Sequence, residues 1–268
     1  MDIRFAARMR SVLFLALVAH AIAVLAAPEP VVKQAPVAAP KRILLVGNSY
    51  LYYNDGIHNH LRRMVIAADP AAAKTLQFKL ATIGGAPLSQ QDVKGLLVPG
   101  RLGIAEPFDL VILNGHSAAA LSEARRASFR AKVIEFNAEI LKSGAKTVLY
   151  MTHAYVKPHK KASPDMMRKI EDLYVSAGNE VGAYVIPVGL AFEEAYRRRP
   201  DIKLQKAFDG SHPDLNGTYL ATCVLYASLY GKSPVGNSYD YFGAVDKETA
   251  AFLQHVADDT VRKFYGRQ

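Results

Sequence analysis

The sequence has very little cysteine and lacks the usual metal and nucleotide motifs. Its single cysteine, Cys223, cannot form a disulfide within the chain. No His-Glu-x-x-His segment and no cysteine cluster is present, and His58 and His60 would point to different faces of a helix. The sequence also contains no Gly-x-Gly-x-x-Gly segment and no phosphate loop ending in Gly-Lys-Ser/Thr. We therefore expect no metal centre and no cofactor.

Positive charge exceeds negative charge, but no concentrated basic stripe accompanies it. The chain carries 33 Lys and Arg against 24 Asp and Glu, a formal net charge of +9. The basic residues are spread through helical stretches and are not interleaved with aromatic residues. This pattern predicts a solvated basic surface and no nucleic-acid partner, and it leaves a weak attraction to anionic glycans or lipids open.

The first 41 residues are organised as a targeting segment followed by a linker. Residues 1–26 contain three arginines, then an apolar run, then Val24-Leu25-Ala26, which predicts a secretory signal peptide cleaved after Ala26. An uncleaved membrane anchor is the alternative, although the run is short for a bilayer span and His20 interrupts it. Residues 27–41 hold four prolines and are expected to form a Pro/Ala-rich linker. We therefore expect a secreted or periplasmic protein without stable membrane insertion. We expect one domain over 42–268.

Short apolar segments alternate with helical patterns through that domain. We predict strands, each buried on both faces, over 42–47, 76–82, 109–113, 146–151 and 184–188. Five such strands alternating with helices favour an α/β fold of the flavodoxin-like type. It would have three layers, α/β/α, and a five-stranded parallel sheet.

Three helices are predicted with particular clarity. Ser163 followed by Pro164 is typical of an N-cap with proline at the first helical position. The stretch around Cys223 is apolar throughout and predicts a buried helix, in which the thiol is a small core residue. A further helix is expected over 246–265.

Polar and small residues follow each strand, where the carboxyl ends of parallel strands meet at one edge of the sheet. Ser49 follows the first strand, Gly84-Gly85 the second, Asn114-Gly115-His116-Ser117 the third and Thr152-His153 the fourth. Asp209 and His212 lie three apart on a predicted turn, so the carboxylate can orient an imidazole that takes a proton from a hydroxyl. Each feature alone is also typical of ordinary turn chemistry, and His212 could instead cap the helix that Pro213 begins.

Four of these segments together resemble the SGNH (GDSL-like) hydrolase superfamily, in the branch with a Gly-Asn-Ser first block. The matching segments are "ILLVGNSYLYYND", "IGGAPL", "DLVILNGHS" and "DGSHPDLNGTYLA", and the resemblance spans about residues 42 to 230. It implies that Ser49 is a nucleophile, His212 its general base and Asp209 the residue that orients His212.

The same resemblance implies an oxyanion hole with three donors. They are the Ser49 N–H, a glycine N–H after the second strand and an amide side chain after the third. We expect Gly85 rather than Gly84 for the second donor. The usual Gly-x-Asn of the third block is absent, so Asn114 is the expected third donor and His116 is its rival.

The resulting prediction is a secreted serine esterase that forms a covalent acyl-enzyme and hydrolyses acyl esters. Its substrate would be a small-molecule or glycan ester, with carbohydrate O-acetyl groups slightly favoured. The alternative is a non-catalytic protein of the same fold that binds glycan or cell-envelope material.

Overall fold

A computed structural model describes residues 28–267, and the signal peptide expected over 1–26 lies outside these described residues. Five strands form one sheet in the order β2-β1-β3-β4-β5, and every neighbouring pair is parallel. The strands are β1 Arg42–Gly47, β2 Gln77–Thr82, β3 Leu110–Leu113, β4 Lys146–Tyr150 and β5 Tyr184–Ile186. This order is the flavodoxin-like one, so the predicted fold class is confirmed.

Eight α-helices and three short 3-10 helices connect or follow the strands within residues 28–267. The α-helices are α1 Ser49–Tyr52, α2 Ile57–Ala68, α3 Val93–Leu96, α4 Glu123–Lys142, α5 Met166–Val181, α6 Val188–Arg198, α7 Leu215–Tyr230 and α8 Lys247–Tyr265. The 3-10 helices are Pro70–Lys74, Leu88–Gln90 and Ala119–Leu121. Helix α7 is buried around most of its circumference and places the Cys223 thiol in the core, as predicted.

Alternating side chains of each strand enter two separate cores. In β1, Ile43 and Leu45 pack with α2, α6, α7 and α8, whereas Leu44 and Val46 face the opposite side, with α4 and α5. Tyr150 and Leu149 divide in the same way in β4. Helices therefore cover both faces of the sheet, which explains why the strands are continuous apolar runs in the sequence.

Helix α5 begins later than predicted. It starts at Met166, and the N-cap position is Asp165 rather than Ser163. The Ser163 hydroxyl donates to the Asp165 carboxylate at 2.7 Å, and the Met166 N–H bonds to the Ser163 carbonyl at 3.1 Å. These bonds close a turn over residues 163–166, so the helix can begin only after it.

The segment expected to be a linker lies against the domain where the structure describes it. Residues 28–41 contain no helix or strand, yet Val32, Ala35 and Val37 pack on the larger core. The Tyr230 hydroxyl donates to the Pro40 carbonyl at 2.9 Å. Across residues 28–267, we find no helix with both the length and the hydropathy needed to cross a bilayer.

The close approach of α7 to the preceding loop depends on Gly217. A Cβ at this position would lie 2.1 Å from the Leu204 carbonyl oxygen. That oxygen also accepts the Asp214 N–H at 2.8 Å and so holds the start of α7 in place. The absence of a side chain at Gly217 therefore fixes the helix that follows the Asp209–His212 turn.

We predict that Gly217→Ala lowers the free energy of unfolding by about 2 kcal/mol, because overpacking costs more than the ~1 kcal/mol gained in helix propensity. Thermal denaturation followed by circular dichroism measures the change. Asn216→Ala, on the same turn of α7, is the matched control and should be neutral or slightly stabilising. A Gly217→Ala protein as stable as the wild type would contradict the argument.

Candidate active site

Three side chains predicted to act together lie together at the carboxyl edge of the sheet. Nε2 of His212 lies 2.9 Å from the Oγ of Ser49, although the two residues are 163 positions apart. Nδ1 of the same ring lies 2.5 Å from Oδ2 of Asp209. Serine, imidazole and carboxylate thus form a continuous hydrogen-bonded chain, the arrangement that activates a hydroxyl nucleophile.

The residues before Ser49 hold it at the tip of β1. Asn48 is the N-cap of α1, and its Oδ1 accepts the Tyr50 N–H at 3.2 Å. Its Nδ2 donates to the carbonyl of Gly115, after β3, at 3.0 Å. Gly47 has no space for a side chain, because a Cβ there would lie 2.7 Å from the Asn114 Cβ. The small and polar residues before the serine therefore lock the strand-to-helix turn onto the neighbouring loop.

The "YYNDG" segment after Ser49 contacts the histidine turn directly. The Tyr53 ring stacks on the His212 ring, with centroids 4.4 Å apart and planes 14° from parallel. Asn54 adopts a positive φ of 55°, and its Nδ2 donates to the Pro213 carbonyl at 3.0 Å and to the Thr218 hydroxyl at 2.8 Å. The segment therefore clamps His212 and the start of α7.

A buried network beneath the site holds the other side of the histidine turn. The Tyr50 hydroxyl lies 2.9 Å from the Ser211 hydroxyl, and Nε2 of His153 lies 2.8 Å from the Ser211 carbonyl oxygen. His153 is sandwiched between the rings of Tyr50 and Phe192, at 4.3 and 4.2 Å. Burial lowers the pKa of His153 to about 4, so its ring stays neutral and donates its Nε2–H to the carbonyl.

The Asp209 carboxylate is held in its ionised form. Burial raises its pKa, but hydrogen bonds from His212 and from the backbone N–H groups of Ser211 and His212 outweigh that effect, and the net pKa lies below the usual value. The carboxylate therefore remains charged at neutral pH and can stabilise a positive charge that develops on His212.

Two backbone N–H groups near Ser49 are free to bind a ligand. Within residues 28–267, neither the Ser49 N–H nor the Gly85 N–H has a hydrogen-bond partner. Ser49 is the first residue of α1, where the N–H groups have no partner inside the helix. Gly85 lines the cleft with a φ of +68°, whereas Gly84 lies against the Tyr52 hydroxyl. Of the two glycines, Gly85 is the one that lines the cleft.

Asn114 does not line the cleft, in contrast to the role expected for it. Its side chain is 0% exposed, and neither its Nδ2 nor its Oδ1 has a partner in the described part of the chain. It directly follows β3 and packs against Gly47, two residues before Ser49. The structure places Asn114 outside the lining of the cleft and so does not support it as a donor.

His116, the rival, lies in the cleft. Its Nδ1 accepts the Ala118 N–H at 3.0 Å, so a neutral ring carries its proton on Nε2. Burial lowers the pKa of His116, and the charges of Arg125 and Lys161 lower it further, which keeps the ring neutral. His116 therefore offers a neutral N–H donor on the side of the cleft formed by the segment after β3.

Two adjoining cavities share this edge of the sheet. The cleft itself is about 320 Å³ and is lined by residues that include Ser49, Tyr155 and His212. An adjoining groove of about 300 Å³ runs between the segment after β2 and the start of α4, and the two cavities share Gly85, His116 and Arg125. Among residues 28–267, no group of three or more His, Cys, Asp or Glu side chains is placed to hold a metal ion.

Comparison with known proteins gives matches in structure alone. No family model matches the sequence, and no curated protein matches it. Solved structures do match the fold. A candidate SGNH hydrolase from Slackia heliotrinireducens is 23% identical, with a TM-score of 0.57 over 71% of this chain and 99% of that one.

Two further structures extend the comparison. A DUF4886 family protein from Bacteroides uniformis is 17% identical, with a TM-score of 0.65 over 85% of this chain and 96% of that one. An acetyl xylan esterase is 11% identical, with a TM-score of 0.54 over 70% of this chain and 98% of that one. At these identities the likeness establishes the fold, and the chain therefore has the three-layer α/β/α fold found in SGNH hydrolases.

Proposed function

We propose that the protein is a serine hydrolase of acyl esters, with Ser49 as nucleophile, His212 as general base and Asp209 as the residue that orients it. The observation that carries the proposal is the hydrogen-bonded chain from Ser49 Oγ through His212 to the Asp209 carboxylate. The fold supports it, since SGNH hydrolases and an acetyl xylan esterase share the architecture. An intact triad also argues against a protein that only binds.

Acylation would begin with the transfer of the Ser49 hydroxyl proton to Nε2 of His212. The Ser49 oxygen forms a bond to the ester carbonyl carbon, and the carbonyl oxygen becomes an oxyanion. Collapse of this intermediate breaks the bond to the alcohol oxygen, which takes the proton from His212. The alcohol leaves and the acyl group remains on Ser49.

Deacylation would repeat these steps with water. His212 takes a proton from a water molecule, whose oxygen attacks the acyl carbon, and the Ser49 oxygen is released with that proton. Ionised Asp209 stabilises the charged imidazole during both half-reactions. No cofactor takes part in either step.

The oxyanion would be stabilised by the Ser49 N–H, the Gly85 N–H and the Nε2–H of His116. The two backbone groups have no other partner within residues 28–267, and the His116 ring is neutral with its proton on Nε2. Donors that are already oriented toward the developing charge supply much of the rate enhancement in acyl transfer. In this proposal Asn114 has a structural role only, against Gly47.

We further propose that the enzyme is exported and acts on a small-molecule or glycan ester. The basic and apolar pattern of residues 1–26 supports export. Carbohydrate O-acetyl esters are favoured within this class, because an acetyl xylan esterase has the same fold.

Substitution of each triad residue should lower kcat for a simple aryl acetate, by a factor that differs between the residues. We expect Ser49→Ala and His212→Ala to lower kcat by about 10⁴–10⁶-fold, and Asp209→Asn by about 10²–10⁴-fold, because the last change leaves the nucleophile and the base in place. Initial rates of phenol release measure these losses.

Ser233→Ala is the matched control for this series, since Ser233 is an exposed hydroxyl beyond the end of α7. It should keep the wild-type rate. A wild-type protein without turnover of any aryl or sugar acetate would reject the catalytic proposal in favour of a binding protein of the same fold.

A second pair of variants tests the third oxyanion donor. We expect His116→Ala to lower kcat by about 10²–10³-fold with a small change in KM, because the donor bonds the oxyanion better than the ground-state carbonyl. His116→Gln, which keeps an N–H donor, should recover part of the loss. Asn114→Ala should keep kcat within a few-fold of the wild type, with folding checked by circular dichroism.

The opposite pattern, a large kcat loss in Asn114→Ala and none in His116→Ala, would return the donor role to the asparagine. Losses of only a few-fold in both variants would mean that the two backbone N–H groups act alone.

A further inference from the structure

The cleft around Ser49 is lined by basic side chains and by no carboxylate. Arg125, His159 and Lys161 line it beside Ser49 and His212, and no Asp or Glu is among its lining residues. The carboxylate of the proposed triad, Asp209, bonds Nδ1 of His212, on the side of the ring away from Ser49, and does not line the cleft. A bound ester would therefore contact basic side chains and no carboxylate along the walls of this cleft.

Neither of the two permanent cations in this cleft is neutralised. Within residues 28–267, Arg125 and Lys161 form no salt bridge, whereas the neighbouring cations Arg126 and Lys169 pair with Asp172 and Asp165. Both side chains are exposed at the rim, where they can move toward a ligand. The cleft thus has two positive charges available that the fold does not use for its own stability.

The two adjoining cavities would hold different halves of an ester, the alcohol in one and the acyl chain in the other. The leaving alcohol must take its proton from Nε2 of His212, so it must lie in the cleft that His212 lines. The second groove touches neither Ser49 nor His212 and begins beyond Gly85 and His116. Its lining is largely apolar, with Leu88, Ala119 and Phe129, so it suits the acyl chain.

Lys161 and His159 line only the cleft on the His212 side, and Arg125 lies where the two cavities meet. Lys161 therefore adds a positive charge on the alcohol side that the second groove lacks, whereas burial lowers the pKa of His159 and favours its neutral ring. Lys157 and Lys160 are exposed in the same loop after β4 as His159 and Lys161.

We propose that the alcohol half of the natural substrate carries an anionic group, a carboxylate or a phosphate, which Arg125 and Lys161 bind. This inference rests on the proposed esterase function and specifies its substrate. Arg125 can bind either anion through two parallel N–H groups, and Lys161 adds a second charge. In a cleft lined by one sign of charge, the local concentration of an oppositely charged substrate is raised.

Matched aryl acetates test the preference. The first pair is 4-acetoxybenzoate, whose carboxylate is on the leaving phenol, and its neutral methyl ester. A third substrate, 4-acetoxyphenyl phosphate, distinguishes phosphate from carboxylate. A fourth, the 4-nitrophenyl monoester of succinic acid, carries its charge on the acyl half and is compared with 4-nitrophenyl butyrate. Each kcat/KM is divided by the rate constant for hydroxide-catalysed hydrolysis of the same ester.

We expect the wild type to prefer an anionic over a neutral leaving alcohol by about tenfold or more at low salt, the lower end of the range for electrostatic steering. The preference should shrink in 0.5 M NaCl, because exposed charges then attract each other over only a few ångströms. The succinate monoester should show a smaller preference, because its charge would enter the largely apolar groove, which Lys161 does not line.

The test variant is Arg125→Gln/Lys161→Gln, which should lose most of the preference. The matched control is Lys146→Gln/Lys232→Gln, which removes the same charge. Lys146 begins β4, and Lys232 follows the end of α7, so both lie away from the edge that carries Ser49. Neither of them forms a salt bridge within the described residues, and the control should keep both the rates and the preference of the wild type.

Three results would overturn the inference. They are equal normalised rates for charged and neutral alcohols, an equal loss of preference in the test and control variants, and a preference confined to the succinate monoester. In each of these cases the neutral esters are still hydrolysed and the esterase proposal stands. A wild-type protein that hydrolyses none of the five esters would instead reject the esterase function itself.

Discussion

The hydrogen bond between Ser49 Oγ and His212 Nε2 is the interaction on which the account of this protein depends. It joins the tip of the first strand to a turn 163 residues later, and the rest of the site serves to hold its two ends. Asn48 fixes the serine by bonding the loop after β3. Tyr53 and Asn54 fix the histidine by stacking on its ring and bonding the Pro213 carbonyl. Held in this way, the proposed nucleophile and base need little rearrangement before reaction.

Burial supports this bond from beneath. His153 lies in an aromatic stack and stays neutral, since desolvation lowers its pKa to about 4. Its Nε2–H can therefore remain bonded to the Ser211 carbonyl throughout the neutral pH range. Above the buried network, the exposed rim carries Arg125 and Lys161 without counter-charges within residues 28–267. The buried, neutral network around His153 thus lies below the proposed reacting groups, and a positively charged rim lies around the cleft.

The sheet could be predicted from the sequence because it depends on local patterns, and the proposed triad because such patterns combine with the resemblance to SGNH hydrolases. Apolar runs buried on two faces define the strands, and Ser49, Asp209 and His212 each follow a recognisable strand or turn. The third oxyanion donor was different. Asn114 and His116 are two residues apart, and only the packing of Asn114 against Gly47 shows which of them enters the cleft. The roles of Tyr53 and His153 likewise depend on contacts between distant segments, which no local pattern encodes.

The central claim, that Ser49 is an activated nucleophile, is tested most directly by covalent labelling with diisopropyl fluorophosphate. Attack by the Ser49 oxygen forms a bond to phosphorus and expels fluoride, with the proton passing to His212. We expect one phosphoryl group to be added per chain, on the tryptic peptide 43–62 at Ser49, with loss of any esterase activity in the same proportion. Labelling should be absent in Ser49→Ala and greatly slowed in His212→Ala. Stoichiometric labelling of another residue, or a folded wild-type protein that takes up no label, would contradict the account.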